Sequence, residues 1–323
     1  MDRSVFTIAT GSESFFKMAI NLARSFEYFN AGNNDIAFYI FTDVERRLPS
    51  DLKHSRLSVL KCDDLRIGFS IKLLIDRFAP TMQSIFIDAD CFVLGSVEPL
   101  FDAFSDSSVG IFGEVLCDGE RFGNVSSYNE RLGISFMPNF NGGIYYIDKS
   151  REAKVIFAEA RQLEPRYDDV GFVRLRGQPN DEMLIGAALA KNAIYPVPND
   201  GRYYADFQWW PDLIEFDVLK GRCVMRNPPA PDPRRQERYP AAVASPLVVH
   251  FLGQHVDSAA YKRAALTLAL NAKKLPFPGL LSSVFASPYF IEAAFKNRFR
   301  RVFRAMFGVR QIRRSRSRLV IEE

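Results

Sequence analysis

No stretch of about 18 consecutive apolar residues occurs in this 323-residue chain, which excludes a membrane-spanning helix. The opening run MDRSVFTIATGSESFF lacks a basic segment followed by a long apolar one, so no secretory signal peptide is expected. Cysteine is sparse. The four residues, Cys62, Cys91, Cys117 and Cys223, form no CxxC pair and no metal-type spacing. Reduced thiols in a cytosolic compartment follow from that pattern. There is no internal repeat and no low-complexity tract outside the C-terminal tail. With 47% apolar and 25% charged residues, the chain has the balance of a folded protein long enough for one large α/β domain or two smaller ones.

Charge is unevenly spread. Residues 293–323 carry ten Lys/Arg against Glu322 and Glu323, a net of +8, which leaves −4 for the remainder of a chain whose total is +4. The body is mildly acidic and the tail strongly basic.

Hydrophobic periodicity gives the organisation. VFTIAT (5–10), IAFYIFTD (36–43), LSVLKC (57–62), SIFID (84–88), VGIFGE (109–114), FNGGIYYID (140–148) and PLVVHFLG (246–253) read as strands. FFKMAINLARSFEYF, SIKLLIDRF (70–78), 150–161 and 181–191 read as helices. This alternation predicts a mainly parallel sheet with helices on both faces. Residues 115–139 form a long polar stretch of the kind used for lids and binding loops. Residues 226–246, with six prolines, read as an irregular connection.

In such sheets ligands bind outside the carboxyl ends of the strands. Thr10, Asp43 and the pair Asp88 and Asp90 all fall there. In SIFIDADCFV, strand alternation predicts that both carboxylates point to one face. Like charges that close repel and raise each other's pKa unless a cation lies between them. One explanation is a solvated turn, since aspartate is common at strand ends. The other is a Mg²⁺ or Mn²⁺ site, because hard cations take oxygen ligands and bridge phosphates. The apolar flanks favour the metal, since an unpaired buried carboxylate is costly. A phosphatase with a nucleophilic aspartate fits less well. It wants Thr or Val where Phe92 stands, and its motif near the start of the domain.

The remaining candidates each have a bland alternative. His250 ends an apolar strand, as a structural core histidine or as an imidazole ligand beside two carboxylates. Lys72 is a solvated lysine or a cation placed near phosphates. Asn141-Gly142-Gly143 is a bulge or a site of close backbone approach. Asp181 and Glu182 complement a helix dipole or serve the site. Tyr203, Tyr204, Trp209 and Trp210 belong to the core or stack on a sugar.

Taken in order, FTIATGSESFFKMAINLARSF, FYIFTD, SIKLLIDRFAPTMQSIFIDADCFV, RLGISFMPNFNGGIYYID, NDEMLI and VVHFLG resemble the retaining GT-A glycosyltransferases of family 8 type, the glycogenin and bacterial lipopolysaccharide galactosyl- and glucosyltransferases. The resemblance spans about residues 5–253. It implies a Rossmann-like, mixed and mainly parallel sheet flanked by helices, with a catalytic domain over 1–258 and a helical basic extension over 259–323. It also implies a Mn²⁺ (or Mg²⁺) ion held by Asp88, Asp90 and His250. The ion would bridge the diphosphate of a nucleotide-sugar donor, UDP-galactose or UDP-glucose. By the same resemblance Ala9, Thr10 and Phe15 meet the nucleotide, and Lys72, Ala89, Gly142 and Gly253 line the donor site. Asn141 faces the donor sugar. Asp181-Glu182 stands where the family has Asp-Gln. Two routes to retention stay open: a Glu182 nucleophile, or same-face attack guided by the leaving phosphate. One departure is plain, because the family's lysine after Gly253 falls near Val256, with His255 and Lys262 as the nearest substitutes. That gap supports the alternative of a non-catalytic descendant binding a nucleotide sugar or a membrane partner.

In YFIEAAFKNRFRRVFRAMF (289–307), Ile291, Phe295, Phe299, Val302, Phe303 and Met306 share one helical face and arginines the other. Such a helix lies in an anionic membrane interface, gaining apolar burial plus about 1 kcal/mol per basic residue. Docking on the catalytic domain is the alternative. No nucleic-acid motif is present. The expected protein is a cytoplasmic enzyme, peripheral on the inner face of the membrane through residues 289–318, acting on a glycan or lipid-linked acceptor in lipopolysaccharide-type synthesis.

Overall fold

The structure, a computed structural model, describes residues 2–32, 35–53, 56–63, 65, 69–227 and 241–307, with only some side chains given over 290–307. The centre of the proline-rich connection and the basic tail after 307 lie outside the described residues.

The N-terminal half contributes strands β1 (Arg3–Ala9), β2 (Ile36–Thr42), β3 (Leu57–Lys61), β4 (Gln83–Ile87) and β5 (Cys91–Val93). Then come β6 (Val109–Gly110), β7 (Phe112–Leu116), β8 (Met137–Phe140) and β9 (Ile144–Asp148). The main sheet has the order β3-β2-β1-β4-β9-β6. Its first four strands run parallel, while β9 pairs antiparallel with both β4 and β6. The sheet is therefore mixed and mainly parallel, as expected.

Period-two alternation divides its side chains between two cores. Val5, Ile85, Ile87, Ile144 and Tyr146 face helix Glu13–Asn30, which supplies Phe16, Ala19, Ile20, Leu22 and Phe26. Phe6, Phe86, Tyr145 and Ile147 face the opposite way, toward Ile156 and Phe157 of helix Arg151–Leu163 and Met183–Leu189 of helix Asp181–Lys191. The second of these helices is apolar all round because it is buried on every side.

Three smaller sheets complete the fold, using β10 (Val197–Pro198), β11 (Tyr204–Asp206), β12 (Asp212–Asp217), β13 (Arg222–Arg226), β14 (Val243–Ala244) and β15 (Val248–His250). Their orders are β10-β7-β8, β11-β15-β5 and β12-β13-β14. The β11-β15-β5 sheet governs the site, because it brings His250 into register with Asp206 on one side and Cys91 on the other. Below it lies a third core of Phe92, Trp210, Met225, Phe251 and Tyr261. Tyr261 belongs to helix Ala259–Ala272, whose N-cap is Ser258, and that helix packs into this core. The last helix, Pro278–Phe307, packs on it through a Thr267–Ser282 hydroxyl bond of 2.6 Å.

Several local expectations change. FNGGIYYID is the end of β8, a turn and β9, and SIKLLIDRF is a 3₁₀ segment, Phe69–Leu74, followed by a single α turn, Ile75–Phe78. VGIFGE is two strands in two sheets, β6 and β7, rather than one. The 115–139 stretch contains helix Val125–Leu132 and β8. Asn124 caps the helix by accepting from Ser127 N at 2.9 Å, and Gly133 ends it at φ 66°. Those signals, an Asn cap and a Gly stop, bracket too few apolar residues to show periodicity. The aromatic stretch is mostly core. Tyr204 and Trp210 are fully buried, Trp210 Nε1 donates to Ala241 O at 2.7 Å, and half-buried Tyr203 stacks on Phe112. Stacking on a sugar is thereby excluded for Tyr204 and Trp210.

Replacing Trp210 by alanine is expected to cost about 3–5 kcal/mol, the range for emptying a large aromatic site in a core. Chemical denaturation reads it; a loss below about 1 kcal/mol would place Trp210 outside the core.

Candidate active site at the carboxyl edge of the sheet

The turn after β4 positions the aspartates. Cys91 N donates to Asp88 O at 3.1 Å, closing a tight turn over Asp88–Cys91. The two carboxylates thus come together through a turn, not through strand alternation. Its other face is tied down by Asp88 N donating to Gly143 O at 2.9 Å and Phe251 N to Asp90 O at 3.0 Å.

His250, fixed by β15, turns its ring into this turn. Nε2 lies 3.0 Å from Asp90 Oδ1 and 3.9 Å from Asp88 Oδ2. Lys72, from the 3₁₀ segment Phe69–Leu74, passes over the Phe86 ring. Its Nζ donates to Asp88 Oδ2 and to Gly142 O, each at 2.7 Å. Lys72 is therefore no solvated surface lysine. Among the expected metal residues, Asp90 and His250 form the closest pair, and Asp88 is shared between His250 and Lys72.

Burial drives the titration here. Desolvation pushes the Asp88 carboxyl up, opposed by Lys72 and His250. Burial acts on Asp90 the same way, but His250 beside it holds its carboxyl below the usual range. For His250, desolvation works downward and is outweighed by Asp90 and Asp88, so it rises to about 9. Without a metal, His250 is the counter-cation of the two aspartates. Cys91 also brings its sulfur within 4.8 Å of ligand atoms of Asp90 and His250. Burial, with the aspartate charges, pushes its thiol well above the usual range. A protonated thiol is a poor donor for a hard ion. Two carboxylates and an imidazole nitrogen converging in a buried site fit Mn²⁺ or Mg²⁺.

Asn180 caps helix Asp181–Lys191 by accepting from Glu182 N at 3.0 Å, which aims both acidic residues at the sheet edge. Glu182 Oε1 accepts from Gly142 N at 2.9 Å, and Oε2 from Arg121 Nη2 at 3.0 Å. Arg121 also donates to Phe140 O at 2.5 Å and to Asn139 Oδ1. Asp181 is buried, accepts from Tyr145 Oη at 3.4 Å, and rises to about 7 through desolvation against the pull of Lys72. A side chain at Gly142 would meet Tyr145 Oη at 2.8 Å and Asp181 Oδ2 at 3.2 Å. The Asn141–Gly143 stretch is therefore a point of close approach.

Other expected residues lie around this centre. Ala9 and Ala89 are buried, Thr10 is half-buried, and Gly11 N donates to Asp43 Oδ2 at 2.9 Å, linking the ends of β1 and β2. Phe15, in the first turn of the helix after β1, is exposed. Gly253 opens a 3₁₀ turn at φ 61°. The candidates for the missing lysine point elsewhere. His255 stacks on Phe207 at 4.0 Å, while Lys262 lies over the Tyr289 ring and pairs with Asp257. Arg121 and Tyr204 are the site residues that sequence reading missed. Arg121 stands in the long polar 115–139 stretch, which has no periodicity to mark it, and from sequence Tyr204 reads only as core or sugar platform.

No protein-family model matches the chain, and no curated protein matches its sequence. Solved structures do match. The galactosyltransferase LgtC, determined with donor and acceptor sugar analogues, aligns with a TM-score of 0.51 at 16% identity, over 84% of this chain and 96% of its own. WbbM, a bifunctional glycosyltransferase, aligns with a TM-score of 0.52 at 12% identity, over 87% of this chain and 51% of its own. The shared fold is GT-A. At such identity the likeness speaks to the fold, and the chemistry rests on the side chains above.

Asp181 tests the electrostatics. Its raised folded value, about 7 against 3.8, means the folded chain binds a proton that the unfolded chain has released. Its contribution to stability is present at low pH and is lost as pH rises from about 4 through about 7. Asp181→Asn is expected to raise the melting temperature more at about pH 8 than at about pH 4; an equal change at both would overturn the assignment.

Proposed function

We propose that this protein is a metal-dependent glycosyltransferase. It moves a hexose from a nucleotide-diphosphate sugar, UDP-galactose or UDP-glucose, to a glycan or glycolipid acceptor with retention of configuration. The observation that carries this reading is the convergence of Asp88, Asp90 and His250 at the carboxyl edge of a GT-A sheet, with Lys72 beside them.

Asp88, Asp90 and His250 would hold Mn²⁺ or Mg²⁺, which when bound neutralises charge developing on a leaving diphosphate. Lys72 is the second positive charge, placed where its partner Asp88 would turn toward the ion. Ala9, Thr10 and Phe15 take the nucleotide, with Ala89, Gly142 and Gly253 as backbone contacts along the donor. Asn141 faces the sugar. Glu182 has both oxygens engaged, by Gly142 N and Arg121, and Asp181 is enclosed against Tyr145. Neither is free to attack. This favours same-face attack, with the leaving phosphate taking the acceptor proton and the acidic pair orienting the sugar.

The final helix presents Ile291, Phe295, Phe299, Val302 and Met306 as exposed apolar side chains. Together with the ten basic residues of 293–323, this face suits an anionic membrane surface. No helix among the described residues is long and apolar enough to cross a membrane. A peripheral enzyme on the inner membrane face, working on a lipid-linked acceptor, fits both features.

Calorimetry and donor-hydrolysis assays across a panel of nucleotide sugars test the chemistry. A UDP-hexose is expected to bind and turn over only with Mn²⁺ or Mg²⁺. Asp90→Asn should lower turnover about 100-fold or more, the scale for loss of one charge-stabilising group. Metal-independent turnover, or no binding to any member, would sink the proposal; binding without turnover would identify a non-catalytic descendant. Deleting residues 289–323 is expected to abolish cosedimentation with anionic vesicles, and unchanged binding would remove the membrane assignment.

A further inference from the structure

Tyr204, on β11, is buried, yet its hydroxyl lies among polar atoms of the site. It is 2.7 Å from Asn141 Oδ1 and 2.6 Å from His250 Nδ1. Asn141 Oδ1 can only accept, and it already accepts from Gly143 N at 3.0 Å. The single phenolic proton therefore goes to Asn141, leaving the Tyr204 oxygen to accept from His250. Nδ1 also lies 3.2 Å from the same Asn141 Oδ1. Both groups bonded to Nδ1 are thus acceptors, and the proton of a neutral imidazole belongs on Nδ1. Once His250 gives up the second proton that makes it the counter-cation of the aspartates, Nε2 turns its lone pair toward Asp90 Oδ1, 3.0 Å away. Two lone pairs at that separation repel, and a cation between them converts repulsion into coordination. Residue 143 fits the same logic. A Cβ there would fall on the Tyr204 hydroxyl and within 2.8 Å of His250 Nδ1.

We propose that Tyr204 is a positioning residue of the metal centre: with Asn141 it sets the tautomer and tilt of His250, so that Nε2 is held ready as a ligand. The inference rests on the metal-dependent reading above. Partners of this kind typically change metal affinity by about 10–100-fold when removed.

The test uses the full chain and the metal alone. Mn²⁺ affinity is measured by calorimetry on the wild type, Tyr204→Phe and Tyr203→Phe. In parallel, nitrogen NMR follows the chain's three histidines with diamagnetic Mg²⁺ saturating. The wild type is expected to show His250 protonated at Nδ1 and not at Nε2. Tyr204→Phe should weaken Mn²⁺ about 10–100-fold and shift the Nδ1–H resonance, while Tyr203→Phe leaves both unchanged. Absence of metal binding by the wild type would overturn the metal reading and this inference with it. Wild-type metal binding with the proton on Nε2 would overturn this inference alone, whether or not Tyr204→Phe folds. So would unchanged affinity in Tyr204→Phe, or equal weakening in Tyr203→Phe.

Discussion

The carboxylates of Asp88 and Asp90 share one half-buried edge because Lys72 and His250 stand against them. Everything near the site is arranged around that balance of charge. Asp181, Glu182 and Asp206 add three more carboxylates within electrostatic reach, answered by Arg121 and by backbone N–H groups at Gly142, Gln208 and Trp209. Desolvation dominates for Asp181 and Asp206, whose carboxyls it raises to about 7 and about 6.

Each piece of that balance arrives on a different element. The turn after β4 delivers the aspartates, the 3₁₀ segment Phe69–Leu74 the lysine, β15 the histidine, and helix Asp181–Lys191 the acidic pair. The mixed main sheet and the small β11-β15-β5 sheet meet at the Asp88–Cys91 turn, since β5 leaves that turn to pair with β15. A chain that returns 160 residues later can therefore set an imidazole beside the two carboxylates without a flexible loop. Rigid elements hold such constellations more closely than loops do.

Much of this was legible in local pattern. Strand–helix alternation pointed to the α/β class, and strand ends pointed to the binding edge. The residues Asp88, Asp90, His250, Lys72, Asn141 and Asp181-Glu182 were all named from sequence and converge in space. What escaped was non-local or weakly periodic. Helix Val125–Leu132 is short and polar, so its Asn124 cap and Gly133 stop stood without a hydrophobic face between them. Arg121 gains its role by reaching across to Asn139, Phe140 and Glu182. No spacing along the chain announces such a contact.

Period-two and period-3.6 patterns are properties of neighbouring residues, so the amino-acid sequence alone determined β1 to β4 of the main sheet, the major helices and the acidic character of its carboxyl edge. Hydrogen-bond partners 16 to 61 residues apart are not. Only the tertiary structure decided that Lys72 is spent on Asp88, that Glu182 is clamped by Arg121, and that Trp210 is core. It likewise decided that Tyr204 faces His250 rather than a sugar. The reason is desolvation: a buried polar group must find its partner wherever the fold brings one, and that partner is set by packing rather than by order along the chain.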